Sequence, residues 1–308
     1  MNSTGMVCNM ETGICGEASE AGEGTLQLID LSPPRRKAKL YYVTDPICSH
    51  CWALEPVLRK FKWQYEQYID VHIVMGGLLE SWDGFADASN GISKPADVAG
   101  HWKEVGEHSR MPIDGSLWLN DPIRSSYPPS RVFKTIQQTD ERLARLYLRR
   151  AREAVFAFNR NIGEESMLEE LVRQIGLDGA AVVEQSGTSS AMNLLEEDFA
   201  LARSLGVRGF PTIVMVNEEH KGVKIVGARP LESYVAGLAQ VLSGETLQAK
   251  ALPSLPALLD QEQLLFSREL EVMYDLEHHE IEAFVQDNLP AGSYALKEML
   301  GELYVERI

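Results

Sequence analysis

The chain has 308 residues, 44% of them apolar, which is enough to bury a sizeable core. Its 45 acidic and 29 basic side chains leave a formal charge of -16, which excludes a basic footprint for nucleic acid and adhesion to anionic membrane surfaces. No apolar run reaches transmembrane length, and residues 1–24 lack the basic and apolar regions of a secretory signal, so a cytoplasmic location is expected. Thiols there are kept reduced, and any disulfide is transient or catalytic.

Residues 1–39 are polar, Gly-rich and acidic and read as a flexible tail with a linker. They contain Cys8 and Cys15, with a Thr12-Gly13 turn between them. Three readings stand for this pair: an accessory dithiol exchanging electrons with a second pair, part of a metal clip, or two exposed thiols on a tail. Leu40 to Thr44 is the first predicted core strand. It runs into Asp45-Pro46-Ile47-Cys48-Ser49-His50-Cys51, a Pro-stopped turn with two cysteines opening a helix. A C-x-x-C at a helix start puts both sulfurs on one turn. The first faces the free N–H groups and positive end of the helix, which stabilises a thiolate and lowers its pKa. Cys48 is therefore the candidate nucleophile and Cys51 the resolving thiol. A protonated His50 adds positive charge beside Cys48. C-x-x-C is also half of a zinc site, or a pair of inert thiols. The redox reading is preferred because the remaining two cysteines, Cys8 and Cys15, do not form a second knuckle.

The helix is predicted to continue to about Tyr68, with Leu54, Val57, Leu58, Phe61 and Tyr65 at helical spacing and a kink at Pro56. Trp52 reads as a packing residue or as part of the substrate surface. Val71 to Met75 is the second strand; the βαβ order implies parallel pairing, with His72 structural. Residues 80–129 are rich in loop signals, but Trp82, Phe85, Trp102, Trp118 and Tyr127 argue against disorder. His101 and His108 have no evident third ligand, so no metal is expected. Residues 130–205 are helical, with Ser130 as an N-cap, a helix over 142–158 whose basic side is a solvated face, and a break at Ser186-Gly187.

Gly206 to Val216 is a glycine-marked loop, then Phe210-Pro211-Thr212, then a β-branched strand; the Phe210–Pro211 bond is either a cis turn or an ordinary trans strand start. A hairpin partner follows at Val223–Val226, then a closing helix over 231–242. Residues 243–257 read as a linker and 258–308 as a separate small helical unit of two or three short helices ending in a strand, which suits a helix-turn-helix-like piece. With twelve acidic and three basic residues from Asp260 to Ile308, it would repel phosphates.

These features together resemble the DsbA-like thioredoxin-fold family, closest to its cytoplasmic FrnE-type predicted disulfide isomerases. The stretches that carry the resemblance are Asp45-Pro46-Ile47-Cys48, Met75-Gly76-Gly77-Leu78 and Ser125-Ser126-Tyr127-Pro128-Pro129-Ser130, within residues 39–242. It implies an α/β thioredoxin fold over 40–242 with a helical insertion at about 80–205. It also implies attack by Cys48, resolution by Cys51, and a cis-Pro211 that holds extended substrate against them. Phe210 and Trp52 are then candidate substrate contacts. The Ser-His dipeptide differs from the family's Pro-His, so no redox potential carries over. The function implied is thiol–disulfide exchange or isomerisation on protein thiols, with no cofactor and no metal. Ser267 to Leu276 resembles the tail of DsbA-like adaptors that present the regulator Spx to the ClpXP protease, which implies a non-catalytic alternative with a protein partner. The intact C-x-x-C counts against the related glutathione-dependent isomerases, which carry Ser at the position of Cys48.

Overall fold

The computed structural model describes residues 37–308 except 89 and 245, together with the backbone of two short N-terminal strands. It divides into a unit of residues 1–35 and a unit of residues 36–308. In the first, β1 (Val7–Asn9) and β2 (Ile14–Gly16) form an antiparallel pair in which Cys8 stands opposite Cys15. The side chains of Cys8 and Cys15 lie outside the described residues.

The second unit is built on a four-stranded sheet. β3 (Ala38–Thr44) lies parallel to β4 (Ile69–Met75) and antiparallel to β5 (Thr212–Val216), and β6 (Gly222–Val226) pairs with β5. The order β4-β3-β5-β6 joins a βαβ half to a hairpin half. Alternation along β3 sorts its side chains by face. Leu40 and Tyr42 enter the main core with Ile73 and Met75, whereas Tyr41 and Val43 join Val74 and Ala202 on the opposite face. The main-core face carries α1 (Ser49–Tyr65) and α9 (Leu231–Val241); the opposite face carries α8 (Ser189–Ser204). Asp198 of α8 ties this packing together, accepting from the Met75 N–H at 2.8 Å and from Lys134 at 2.7 Å.

The insertion supplies α2 (Pro95–Ser109), α3 (Leu117–Asn120), α4 (Tyr127–Gln137), α5 (Glu141–Arg152), α6 (Glu165–Gln174) and α7 (Gly179–Ser186). A five-residue π-helical turn over Glu153–Ala157 ends α5. The loop-rich stretch is ordered by its aromatics: Trp102 and Trp118 are buried and meet edge to face at 5.2 Å. Helix α4 starts earlier than expected. Pro128 and Pro129 fit its first turn, where N–H groups need no partner, so Ser126 is the cap residue. Ser130 lies inside the helix and donates back to the Ser126 carbonyl at 2.8 Å.

Residues 255–308 hold the expected short helices and final strand, with two further strands beside them. α10 (Leu255–Glu262), β7 (Leu264–Phe266), α11 (Ser267–Tyr274), α12 (Ile281–Asn288), β8 (Tyr294–Met299) and β9 (Glu302–Arg307) follow the order of a winged helix, with a sheet ordered β7-β9-β8. The piece has its own small core around Leu265, Leu270, Val285 and Val305. It is also joined to the main core, because Leu264, Phe266 and Tyr304 pack there. The expected linker is tied down as well: Lys250 N–H donates to Gln64 and Gln248 N–H to the Tyr68 hydroxyl. No helix among the described residues is long and apolar enough to cross a membrane.

Candidate active site

Cys48 is the N-cap residue of α1, with extended backbone (φ -78°, ψ 106°). Its Sγ accepts from the Cys51 N–H at 3.2 Å, and its carbonyl accepts from Cys51 and Trp52 N–H. The sulfur thus occupies the position where a side-chain acceptor satisfies an orphan helix donor. No acidic residue in the first turn offsets the positive helix end. Cys48 and Cys51 are bonded as a disulfide with Cα atoms 5.2 Å apart. Cys48 is 5% exposed and Cys51 fully buried, so an incoming thiolate can reach only the former. This asymmetry sets the chemistry the pair can perform: exchange begins and ends at Cys48, and Cys51 is the internal thiol.

His50 is exposed and faces His101 of α2, with ring centroids 5.4 Å apart. Partial desolvation, with the charges of His101 and His108, pushes the His50 imidazole below its ordinary pKa. The positive charge expected beside Cys48 is therefore weakened by the insertion, while the positive end of helix α1 remains at the sulfur.

The Phe210–Pro211 peptide is cis. Pro211 directly precedes Thr212, which pairs with Val43, so the proline lies at the same end of the sheet as the Thr44–Cys48 turn. Its carbonyl is occupied by the Gly227 N–H at 2.8 Å. Phe210 points to the α8 face, where its ring covers Gly76; a Cβ on Gly76 would fall 2.0 Å from it. Trp52 is not a substrate contact. It is fully buried, donates from Nε1 to the Pro112 carbonyl at 3.0 Å, stacks on Phe156 and lies 4.8 Å beneath the Arg149 guanidinium.

Two buried charged residues beside the cysteine turn, Asp45 and Arg152, carry no role that the sequence alone announces. Asp45 is fully buried beneath the cysteines. Its carboxylate accepts from the Ile47 N–H at 3.0 Å, the Leu78 N–H at 2.8 Å and the Ser126 hydroxyl at 2.8 Å, and its carbonyl accepts from the Cys48 N–H. The three stretches quoted for the family resemblance are thus the partners of one carboxylate. Burial pushes that carboxyl up to about 6, although the Leu78, Ile47 and Ser126 donors oppose the shift. Arg152 is the second. It is 1% exposed and donates to Thr44 Oγ1, the Asp45 carbonyl and Glu55. It fastens the end of β3 to α1 around the cysteine turn. The basic side of α5, expected to be solvated, is in part buried. Arg149 and Arg152 find Glu153, Glu269 and Glu55 as partners, which offsets the cost of burying them. A periodicity test misses such residues, because burial through pairing leaves no apolar signature.

Glu271, His278 and Glu302 bring one ligand atom each within 4.8 Å of one another. Arg110 donates to both carboxylates at 2.8 and 2.9 Å, so the group is an ion-pair cluster holding α2 to the C-terminal piece.

A thioredoxin sheet with a helical insertion and a capped C-x-x-C defines a DsbA-like thioredoxin-fold protein. The chain belongs to the family described as Thioredoxin, whose model matches residues 41–236. It is similar to the ClpXP adapter protein SpxH of Halalkalibacterium halodurans, at 31% identity over 89% of this chain and 88% of the relative. In structure it resembles a probable DsbA oxidoreductase from Streptomyces coelicolor (TM-score 0.53, 18% identity, 70% of this chain and 94% of that one). It also resembles the cytosolic disulfide reductase DsbM from Pseudomonas aeruginosa (TM-score 0.50, 20% identity, 67% of this chain and 95% of that one).

Proposed function

We propose that this chain is a protein adaptor of the SpxH type, presenting a client such as Spx to the ClpXP protease, built on a thioredoxin scaffold that keeps its dithiol. The observation that carries this reading is the extent of the likeness. The SpxH relative covers 89% of the chain, whereas the two oxidoreductase structures cover 67% and 70%. The family match ends at residue 236, and the winged-helix-like piece over 255–308 lies beyond it. An enzyme that exchanges thiols needs the sheet, the helix start and the cysteines; it has no need of 54 further residues bound to the core through buried charges.

A second reading rests on the cysteine geometry. Cys48 thiolate attacks a client disulfide, the client's second sulfur leaves as a thiolate, and Cys51 then displaces the first, leaving the client reduced and Cys48–Cys51 oxidised. Cys48 as N-cap supports this chemistry, with protein thiols as substrates and a thiol reductant to reset the pair. The Cys8/Cys15 pair is a proposed accessory dithiol under the same reading.

The experiment is reconstituted degradation of Spx by ClpXP with and without the chain. The adaptor reading expects faster degradation that survives Cys48→Ser and Cys51→Ser within about twofold. Absence of any acceleration, together with reduction of insulin disulfides that Cys48→Ser abolishes, would move the assignment to the oxidoreductase.

A further inference from the structure

Away from the cysteines, a cleft of about 640 Å³ opens between α1, β4, α5 and α10. That volume lies in the range of sites for small molecules. Its walls carry six cationic side chains (Lys37, Arg59, Lys62, Arg142, Arg145, Arg149) and four carboxylates (Glu55, Glu66, Asp70, Glu262), an inversion of charge in a chain of net -16.

The pairing inside the cleft is uneven. Every carboxylate has a partner: Glu55 with Arg152, Glu66 with Lys250 at 2.7 Å, Asp70 with His72 at 3.0 Å and Glu262 with Arg59 at 3.3 Å. The cations are not all answered. Arg59 is 6% exposed, yet its Nη1 has no hydrogen-bond partner. Lys62, partly buried on the next turn of α1, makes no ion pair within 4.0 Å among the described residues, and burial pushes its ammonium below its ordinary pKa. Arg145 stands on the facing helix at 3.6 Å from Glu141, a loose and half-exposed pair. Arg59 Nη2 already meets Glu262 and Glu269, so what the cleft leaves open is an acceptor for Arg59 Nη1 and an ion-pair partner for Lys62.

We propose that this cleft is a binding site for a small polyanion, a molecule bearing phosphate or clustered carboxylates, held by Lys62 and by the Arg59 and Arg145 guanidinium groups. The partly buried Trp63, with Val71 and Leu146, gives the site an apolar wall for the rest of such a ligand. The site is independent of the adaptor reading and of the cysteines.

The test is isothermal titration of the full chain with inorganic pyrophosphate and, separately, citrate at physiological salt. Saturable one-to-one binding of at least one probe is expected; the probe that binds more tightly identifies the phosphate or the carboxylate class. Lys62→Glu is expected to raise Kd at least about tenfold, while Lys62→Arg stays within about threefold of the parent chain. If Lys62→Glu does not fold by circular dichroism, Arg145→Glu at the half-exposed position is read in its place. Binding of neither probe, or a Kd unchanged by the charge reversal, overturns the proposal.

Discussion

Asp45 shows how one buried carboxyl can organise a site and mark it with a pH dependence. Its ordinary value is 3.8, and burial raises it to about 6 in the folded chain. A carboxyl that holds its proton more tightly when folded contributes stability that is fully present below its unfolded pKa and lost as pH rises through the folded one. Asp45→Asn removes that titration. The stability of the parent chain relative to Asp45→Asn should therefore fall by about 2–3 kcal/mol between about pH 3.5 and pH 7.5, taking about 1.4 kcal/mol per unit. Urea titrations of both chains at the two pH values measure it, and a difference that stays flat would mean the carboxyl ionises as it does in water. Asp45 also marks the limit of what spacing reveals. Cys48 and Cys51 were legible because their geometry is set within one helical turn. Two of the three donors to Asp45 lie 33 and 81 residues away at Leu78 and Ser126, and no local pattern announces them. Trp52 was ambiguous for a related reason: its position beside the motif is visible in sequence, while the Pro112 carbonyl that takes its N–H inward is 60 residues distant.

Among the elements, α5 and α11 are joined through buried charge. Arg149 of α5 makes a two-toothed contact with Glu269 of α11 at 2.7 and 2.8 Å, Arg59 of α1 reaches the same carboxylate at 3.2 Å, and all three side chains are buried. Glu269 also accepts from the Phe266 N–H at the start of its own helix. Burial alone would raise the Glu269 carboxyl, but the Arg149 and Arg59 charges outweigh it and hold it below its ordinary range. Its contribution is thus present above the unfolded carboxylate pKa and lost as acid is added. Glu269→Ala leaves two guanidinium groups buried with fewer partners, and such a loss costs about 3–5 kcal/mol. Urea unfolding at neutral pH should show a drop of that size. A change under about 1 kcal/mol would mean that water replaces the carboxylate and that the network is not buried in solution. The four strands of the main sheet and many helices were readable from period-2 and helical patterns, including the break between α7 and α8. The depth of α5 was not, since its arginines are charged in sequence and become interior only through carboxylates on α1 and α11.

For the molecule as a whole, the C-terminal 60 or so residues decide between a thioredoxin domain carrying an appendage and a single folded body. Proline and glycine near 244–256 give the appearance of a hinge, and the apolar spacing after 258 predicts a buried face without saying what covers it. The structure covers it in two ways: part forms a local core, and Leu264, Phe266 and Tyr304 complete the main one. A chain ending at Ser243 would strip Phe266 from Trp52, leave Arg149 and Arg59 without Glu269, and uncover a face of α1. Each fully buried apolar side chain is worth about 1.5–3 kcal/mol, and the unpaired guanidinium groups add several more. At about 2–4 °C per kcal/mol for a body of this size, the truncated chain should melt at least about 10–20 °C below the parent, or fail to fold. Calorimetry of the two chains under one buffer tests this, and a melting point within about 3 °C of the parent would show that residues 40–242 stand alone. Under the adaptor reading proposed above, a client bound to the C-terminal piece would be held at a fixed position relative to the dithiol, because buried ion pairs join α1 and α5 to α11.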